Sequence, residues 1–175
     1  MAAGGRRAYR PTMSSAPYPA TPHALPKDLA AAAVDLFGRE RVVAWCEELL
    51  AGRAADDDED WPDIAWLGGT VGWIDYWART WGARGLLHVG PPDRPEIVLA
   101  ALDDPAWRVR EMSLKVIRRH GLDDPRGRIG RLVEDPSERV RVQAWTTLGC
   151  TPDARDAWAA GFRPASHERV GAVER

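Results

Sequence analysis

The sequence predicts an all-α protein, a short α-solenoid of stacked antiparallel helical hairpins behind a disordered N-terminal tail. Two observations predict it. Asp104-Pro105 and Asp135-Pro136 stand 31 residues apart, and each is followed at the same distance by Val-Arg, first Val109-Arg110 and then Val140-Arg141. Apolar residues recur at helical spacing from Asp28 to Leu148, without sustained two-residue alternation. A fixed period of this size is the mark of hairpins that bury their apolar faces on one another. Ile117 shares a register with Leu148 and, one period upstream, with Leu86; Arg110 does so with Arg141 and Arg79. The upstream copy is degraded, because its Asp-Pro position holds Trp73-Ile74.

Residues 1–26 are rich in Ala, Pro, Ser, Gly and Arg and lack periodicity, so they are expected to be a disordered tail. Residues 27–162 are expected to form the repeat domain. Asp28 to Phe37 and Glu40 to Leu50 read as two helices ending at Gly38 and Gly52, a hairpin suited to capping the stack. Cys46 falls on their apolar face and reads as inert core. Next come the acidic run Asp56 to Asp60 with Asp63, and then Trp61, Trp66, Trp73, Trp77 and Trp81. The acidic run is a solvated loop or a divalent-cation site; it lacks the alternating ligands and central Gly of an EF-hand. The tryptophans are aromatic core or the lining of a groove.

The best repeats span 95–121 and 125–149. In the first, Pro95 suits a first helical turn, and Ile97, Val98, Ala101 and Leu102 give an apolar face. Asp103-Asp104 breaks that helix. Asp104 is expected to cap the next one with Pro105 at its first position. Val109, Met112, Ser113, Val116 and Ile117 then recur at helical spacing, and Gly121 is a natural stop. The second unit repeats this with Ile129, Leu132, Val133, Val140, Ala144, Trp145, Leu148 and Gly149. Residues 152–160 read as a further helix carrying Trp158, and 163–175 as a C-terminal tail.

The stretches LDDPAWRVREMSLKVI and VEDPSERVRVQAWTTLG resemble HEAT repeats, in the short form of the HEAT-like proteins related to phycobilin lyases. The resemblance implies a stack of helical hairpins in which a turn Asp and a helix Arg form a polar ladder between neighbours. Those roles would fall on Asp104, Arg110, Asp135 and Arg141, with Arg79 in the same arginine register. The period is shorter than the usual HEAT length of roughly 40–47 residues.

Composition narrows the function. The chain has 175 residues, a net charge of −2 and only two cysteines, Cys46 and Cys150, without metal-type spacing. No apolar run approaches transmembrane length and no apolar leader opens the chain, so the expectation is a cytoplasmic protein without membrane contact. His23, His88, His120 and His167 are scattered, and no catalytic motif occurs. The carboxylate pairs Asp103-Asp104 and Asp123-Asp124 fall at turns, where capping accounts for them. No catalytic residue, cofactor or metal is therefore expected.

One surface stands out. On a helical wheel from Trp107, Val109, Met112, Ser113, Val116 and Ile117 cover about 140–280° and Arg108, Lys115, Arg118 and Arg119 about 20–120°. The repeat register adds Arg84 and Arg139. Residues 78–149 carry 13 Lys plus Arg against 10 Asp plus Glu. Two functions are expected. The first is a non-catalytic scaffold for a protein partner. The alternative is a nucleic-acid-binding protein related to the HEAT-like DNA alkylation-repair glycosylases, using this basic face. Chromophore handling, implied only by the repeat subtype, ranks below both.

Overall fold

The computed structural model of the protein describes residues 17–74 and 76–150. Among them are seven α-helices and no strand: α1 (Pro26–Phe37), α2 (Arg39–Leu50), α3 (Tyr76–Val89), α4 (Pro95–Ala100), α5 (Trp107–His120), α6 (Arg128–Arg131) and α7 (Glu138–Thr147). Three 3-10 turns, Ile64–Leu67, Ala101–Asp103 and Leu132–Glu134, complete the regular structure. The expected helix over 152–160, the tail 163–175 and most of the expected N-terminal tail lie outside the described residues. Residues 17–25 of that tail lie on the domain: Pro19 is buried, and the Pro17 carbonyl accepts the Trp66 indole N–H at 2.7 Å.

Helices α3, α5 and α7 pack side by side in chain order. Helix α2 lies along α3, α4 along α5 and α2, and α6 beside α7, while α1 closes the first end against α2, α3 and the Ile64–Leu67 turn. One core runs through the whole, from Ala33, Val43 and Leu49 through Leu86, Leu102 and Ile117 to Val140 and Ala144. Leu86 and Ile117, which share a repeat register, are both buried, whereas Leu148 in the last described turn is half-buried. No helix among the described residues is long and apolar enough to cross a membrane.

The second helices start later than their Asp-Pro dipeptides predict. Helix α5 begins at Trp107, with Ala106 at the N-cap and no side-chain cap. Asp104 Oδ1 instead accepts the Ala106 amide at 2.8 Å, and Asp135 Oδ1 the Ser137 amide at 2.8 Å, ahead of α7. The expected placement of Pro105 at the first helical position is thereby corrected. The cause is the guanidinium of Arg110, whose Nη1 donates to the carbonyls of Asp104 (2.7 Å) and Pro105 (3.0 Å) and so draws them out of the helical ladder. At the far end Gly121 adopts φ +61°, the left-handed conformation that ends a helix without penalty only for glycine.

The tightest helix contact is glycine-dependent. A Cβ on Gly82 would stand 2.5 Å from the Cys46 carbonyl oxygen and 2.8 Å from the Leu50 amide nitrogen, and one on Gly85 would meet Cys46 Sγ. Helix α2 is anchored a second way. Glu47, 1% exposed, accepts the Arg94 backbone N–H and its Nε, both at 2.7 Å. Arg94 also reaches Glu48 at 2.8 Å, and Arg53 grips Glu48 at 2.6 and 2.8 Å. Arg53 first, and then Arg94, hold the Glu48 carboxyl down at about 2.

Both anchors can be tested. Replacing a mid-helix glycine by alanine ordinarily stabilises by roughly 0.5–1 kcal/mol, but Gly82→Ala must push backbone apart. It is expected to lose on the order of 1–3 kcal/mol in urea unfolding, as overpacked sites do; a gain would show that α2 and α3 are farther apart. The depressed Glu48 group contributes stability that is complete above its ordinary value of 4.5 and lost as pH falls toward about 2. Thermal unfolding of Glu48→Gln should therefore show a shallower decline across that window than the wild type, and parallel curves would refute the pairing.

Candidate functional site

A polar ladder joins α3, α5 and α7. Arg79 Nε donates to Asp104 Oδ2 at 2.7 Å. One repeat later, Arg110 Nε and Nη2 grip the Asp135 carboxylate at 2.7 and 2.9 Å. The Arg110–Asp135 pair is nearly buried, with side chains 13% and 3% exposed. Arg141 repeats the inner half of this arrangement, donating through Nη1 to the carbonyls of Asp135 (2.8 Å) and Pro136 (3.1 Å). No carboxylate among the described residues meets its outer edge. These four residues with Arg79 form a structural frame; Arg79 and Asp104 also line a depression of about 410 Å³ with Arg53, Glu96 and Asp103.

The six basic residues of the strip differ in their surroundings. Arg84 is turned inward: its Nη2 donates to the carbonyls of Leu67 (2.6 Å) and Gly68 (3.0 Å), tying α3 to the Ile64–Leu67 turn. Lys115 pairs with Glu111 at 2.9 Å, one turn back on α5. Arg118 and Arg119 are exposed near the end of α5. They lie roughly 15 Å along the helix from Arg108, at 1.5 Å per residue.

Arg108 and Arg139 keep different company. The Arg108 guanidinium lies 5.2 Å from the Trp77 ring centre and 4.3 Å from that of Trp107, and Arg139 lies 5.8 Å from the same Trp107 ring. Trp77, Arg108 and Arg139 occupy one position of the 31-residue register on α3, α5 and α7. Neither arginine has a carboxylate partner among the described residues. Trp77 continues the row toward Trp73, whose ring centre is 5.4 Å away. Trp73 is 58% exposed and Ile74 64%, and Val71 beside them is also exposed.

The tryptophans thus divide. Trp66 and Trp81 are buried core, Trp61 and Trp77 are half-buried, and Trp73 stands out in solvent. The acidic run is turn structure: Asp56 accepts the Gly72 amide (2.9 Å), Asp58 that of Asp60 (3.0 Å) and Asp63 that of Ala65 (2.8 Å). Among the described residues no three His, Cys, Asp or Glu side chains converge as metal ligands do. Asp103 faces Arg128 and Arg131, and Asp124 accepts the Ile129 amide. His120 hydrogen-bonds the Leu86 carbonyl at 2.8 Å, His23 and His88 are exposed, and His167 is outside the described residues. Burial and the neighbouring Glu47 charge push the Cys46 thiol well above its ordinary range, which keeps it unreactive.

Sequence reasoning missed three things here. Leu114, outside the expected apolar arc, is fully buried because α5 is flanked by both α3 and α7. Glu47 and Arg94 meet across 47 positions with no local signal. The Trp77–Arg108–Arg139 row is carried by the repeat register, but it mixes an aromatic residue with two cations, and a pattern of charge alone does not join them. None of the family models, curated proteins or solved structures compared with the chain matches it.

Ladder removal is expected to damage folding. Arg110→Ala leaves the buried Asp135 carboxylate without its guanidinium and should cost at least about 1.5–3 kcal/mol in urea unfolding. Arg141→Ala, which removes bonds to carbonyls only, should cost clearly less; equal losses would show that the carboxylate half of the rung contributes nothing.

Proposed function

We propose that the protein is a non-catalytic scaffold of HEAT-like helical repeats, an α-solenoid that docks a protein partner on an aromatic–arginine surface. The observation that carries this reading is the uncovered Trp73 continuing into the Trp77–Arg108–Trp107–Arg139 row. Exposed apolar groups gathered in one place mark interaction sites. Tryptophan and arginine are also the residues that most often dominate binding energy at protein interfaces. The repeated Arg–Asp rungs and the chain-order packing of α3, α5 and α7 support the stacked-repeat architecture.

The nucleic-acid reading has one observation in its favour: guanidinium groups laid on indole rings, with open edges, resemble the platforms that take single strands. Against it stand the inward turn of Arg84, the Lys115–Glu111 pair and a net charge of −2. A phosphate track needs several free cations in line, and only Arg108 and Arg139 share this surface.

The full-length chain and a Trp73→Ala/Ile74→Ser variant, used as baits in a lysate of the source organism with and without nuclease, test the proposal. The expected outcome is a protein partner that survives nuclease and is lost with the variant, at unchanged melting temperature. Retention that vanishes with nuclease would favour the nucleic-acid reading, and an identical set of bound proteins on both baits would refute this docking surface.

A further inference from the structure

The docking reading leaves the chemistry of the partner open. Resting on that reading, we infer that the surface takes an acidic peptide segment. One bulky apolar side chain of the peptide lies on Trp73, and two carboxylates, two to four residues apart, meet Arg108 and Arg139.

The way this protein treats its other arginines sets the charge of the ligand. Arg39, Arg53, Arg79, Arg94, Arg110 and Arg131 each have a carboxylate within bonding distance. Arg41, Arg84 and Arg141 are spent on backbone carbonyls, Arg128 lies 3.9 Å from Asp103, and the exposed Arg118, Arg119 and Arg126 have neither kind of contact nor an aromatic neighbour among the described residues. Arg108 and Arg139 are held differently, with guanidinium groups beside indole rings and no acceptor among the described residues. Stacking of this kind strips water from the faces of the group and leaves its N–H edge presented, the geometry that suits a bidentate carboxylate. Both arginines are therefore positioned but unsatisfied, which is the complement of an acidic ligand.

Spacing sets the pattern of that ligand. The two guanidinium carbons approach one Trp107 ring at 4.3 and 5.8 Å, so they are no more than about 10 Å apart. Side chains three or four apart on a helix, or two apart on a strand, have Cβ atoms about 5–7 Å apart, and their carboxylates can splay to that separation. The Trp73 ring is one ring from Trp77, and Trp77 is one contact from Arg108. An apolar anchor and the nearer carboxylate thus belong to the same short segment.

The test uses the full chain and a random 16-residue peptide display library, selected near physiological ionic strength. Recovered peptides are measured by fluorescence anisotropy against the wild type, Trp73→Ala/Ile74→Ser, Arg108→Gln/Arg139→Gln and Arg108→Lys/Arg139→Lys, each first checked for an unchanged melting temperature. Labelled oligo(dT) is the nucleic-acid probe. The expected result is enrichment of Asp or Glu pairs beside a Leu, Phe or Trp. Each of the first two variants should weaken binding by on the order of tenfold or more, as loss of a charge-assisted bond or an aromatic anchor does. The lysine pair should fall between glutamine and wild type. Peptides that need Trp73 but show no acidic bias, and ignore Arg108→Gln/Arg139→Gln, overturn the acidic-ligand inference and leave the docking surface standing. Failure to recover any peptide sensitive to either pair overturns both, as does oligo(dT) binding that is lost with Arg108→Gln/Arg139→Gln while peptides do not bind.

Discussion

The arginine–aspartate rung between successive helical units is the interaction on which the rest of the structure depends. Burying a charge is costly unless every one of its hydrogen-bonding positions is met. Asp135 meets this condition: it takes two bonds from Arg110 and one from the Ser137 amide. Arg110 meets it from the other side through two backbone carbonyls. A rung therefore specifies three things together. It fixes the spacing of two neighbouring helices, the shape of the turn before each, and the residue at which the later helix can begin. Apolar burial supplies the attraction between α3, α5 and α7 but would tolerate small slips; the rung does not.

That dependence explains what could be read from the chain alone. The Asp-Pro and Val-Arg repeats announced the units, their apolar faces and their all-helical character, and the helices over 26–50 were legible to within a residue or two at their starts. The starts of α5 and α7 also lie two residues from the Asp-Pro reading, there because the carbonyls that a helix would use are diverted to an arginine five or six positions on. The Ile64–Leu67 turn had no periodicity to betray it, being only one turn long. Arg84, bonded to the Leu67 carbonyl, and the turn's own Trp66, bonded to the Pro17 carbonyl, fix it through tertiary bonds that no local pattern carries.

The surface was less legible than the frame. A helical wheel treats every residue on one arc as equally free, and so it grouped Arg84, Arg108, Lys115, Arg118, Arg119 and Arg139. In the folded chain nearby acceptors claim Arg84 and Lys115, and helix length separates Arg118 and Arg119 from the remaining two. The tryptophans posed the opposite difficulty. Composition invites one answer for all of them, yet position along the chain decides: Trp81, packed against Gly69, is covered, whereas Trp73 precedes α3 and stays largely open to solvent. The row from Trp77 to Arg139 arises because the repeat places successive helices in register. A single position is thus copied across three helices and becomes a line of side chains.

The rungs also give the stack a direction. In each, the earlier helix donates and the later turn accepts, so the series must finish on a donor. Arg141 is that donor, already oriented by the carbonyls of Asp135 and Pro136. In both completed rungs the accepting aspartate lies 25 residues beyond its arginine. In the terms of a modular architecture, the fold carries its own joining rule. Among the described residues Arg141 thus presents the donor half of a further rung, the half that an aspartate 25 positions on in an added unit of the same pattern would complete.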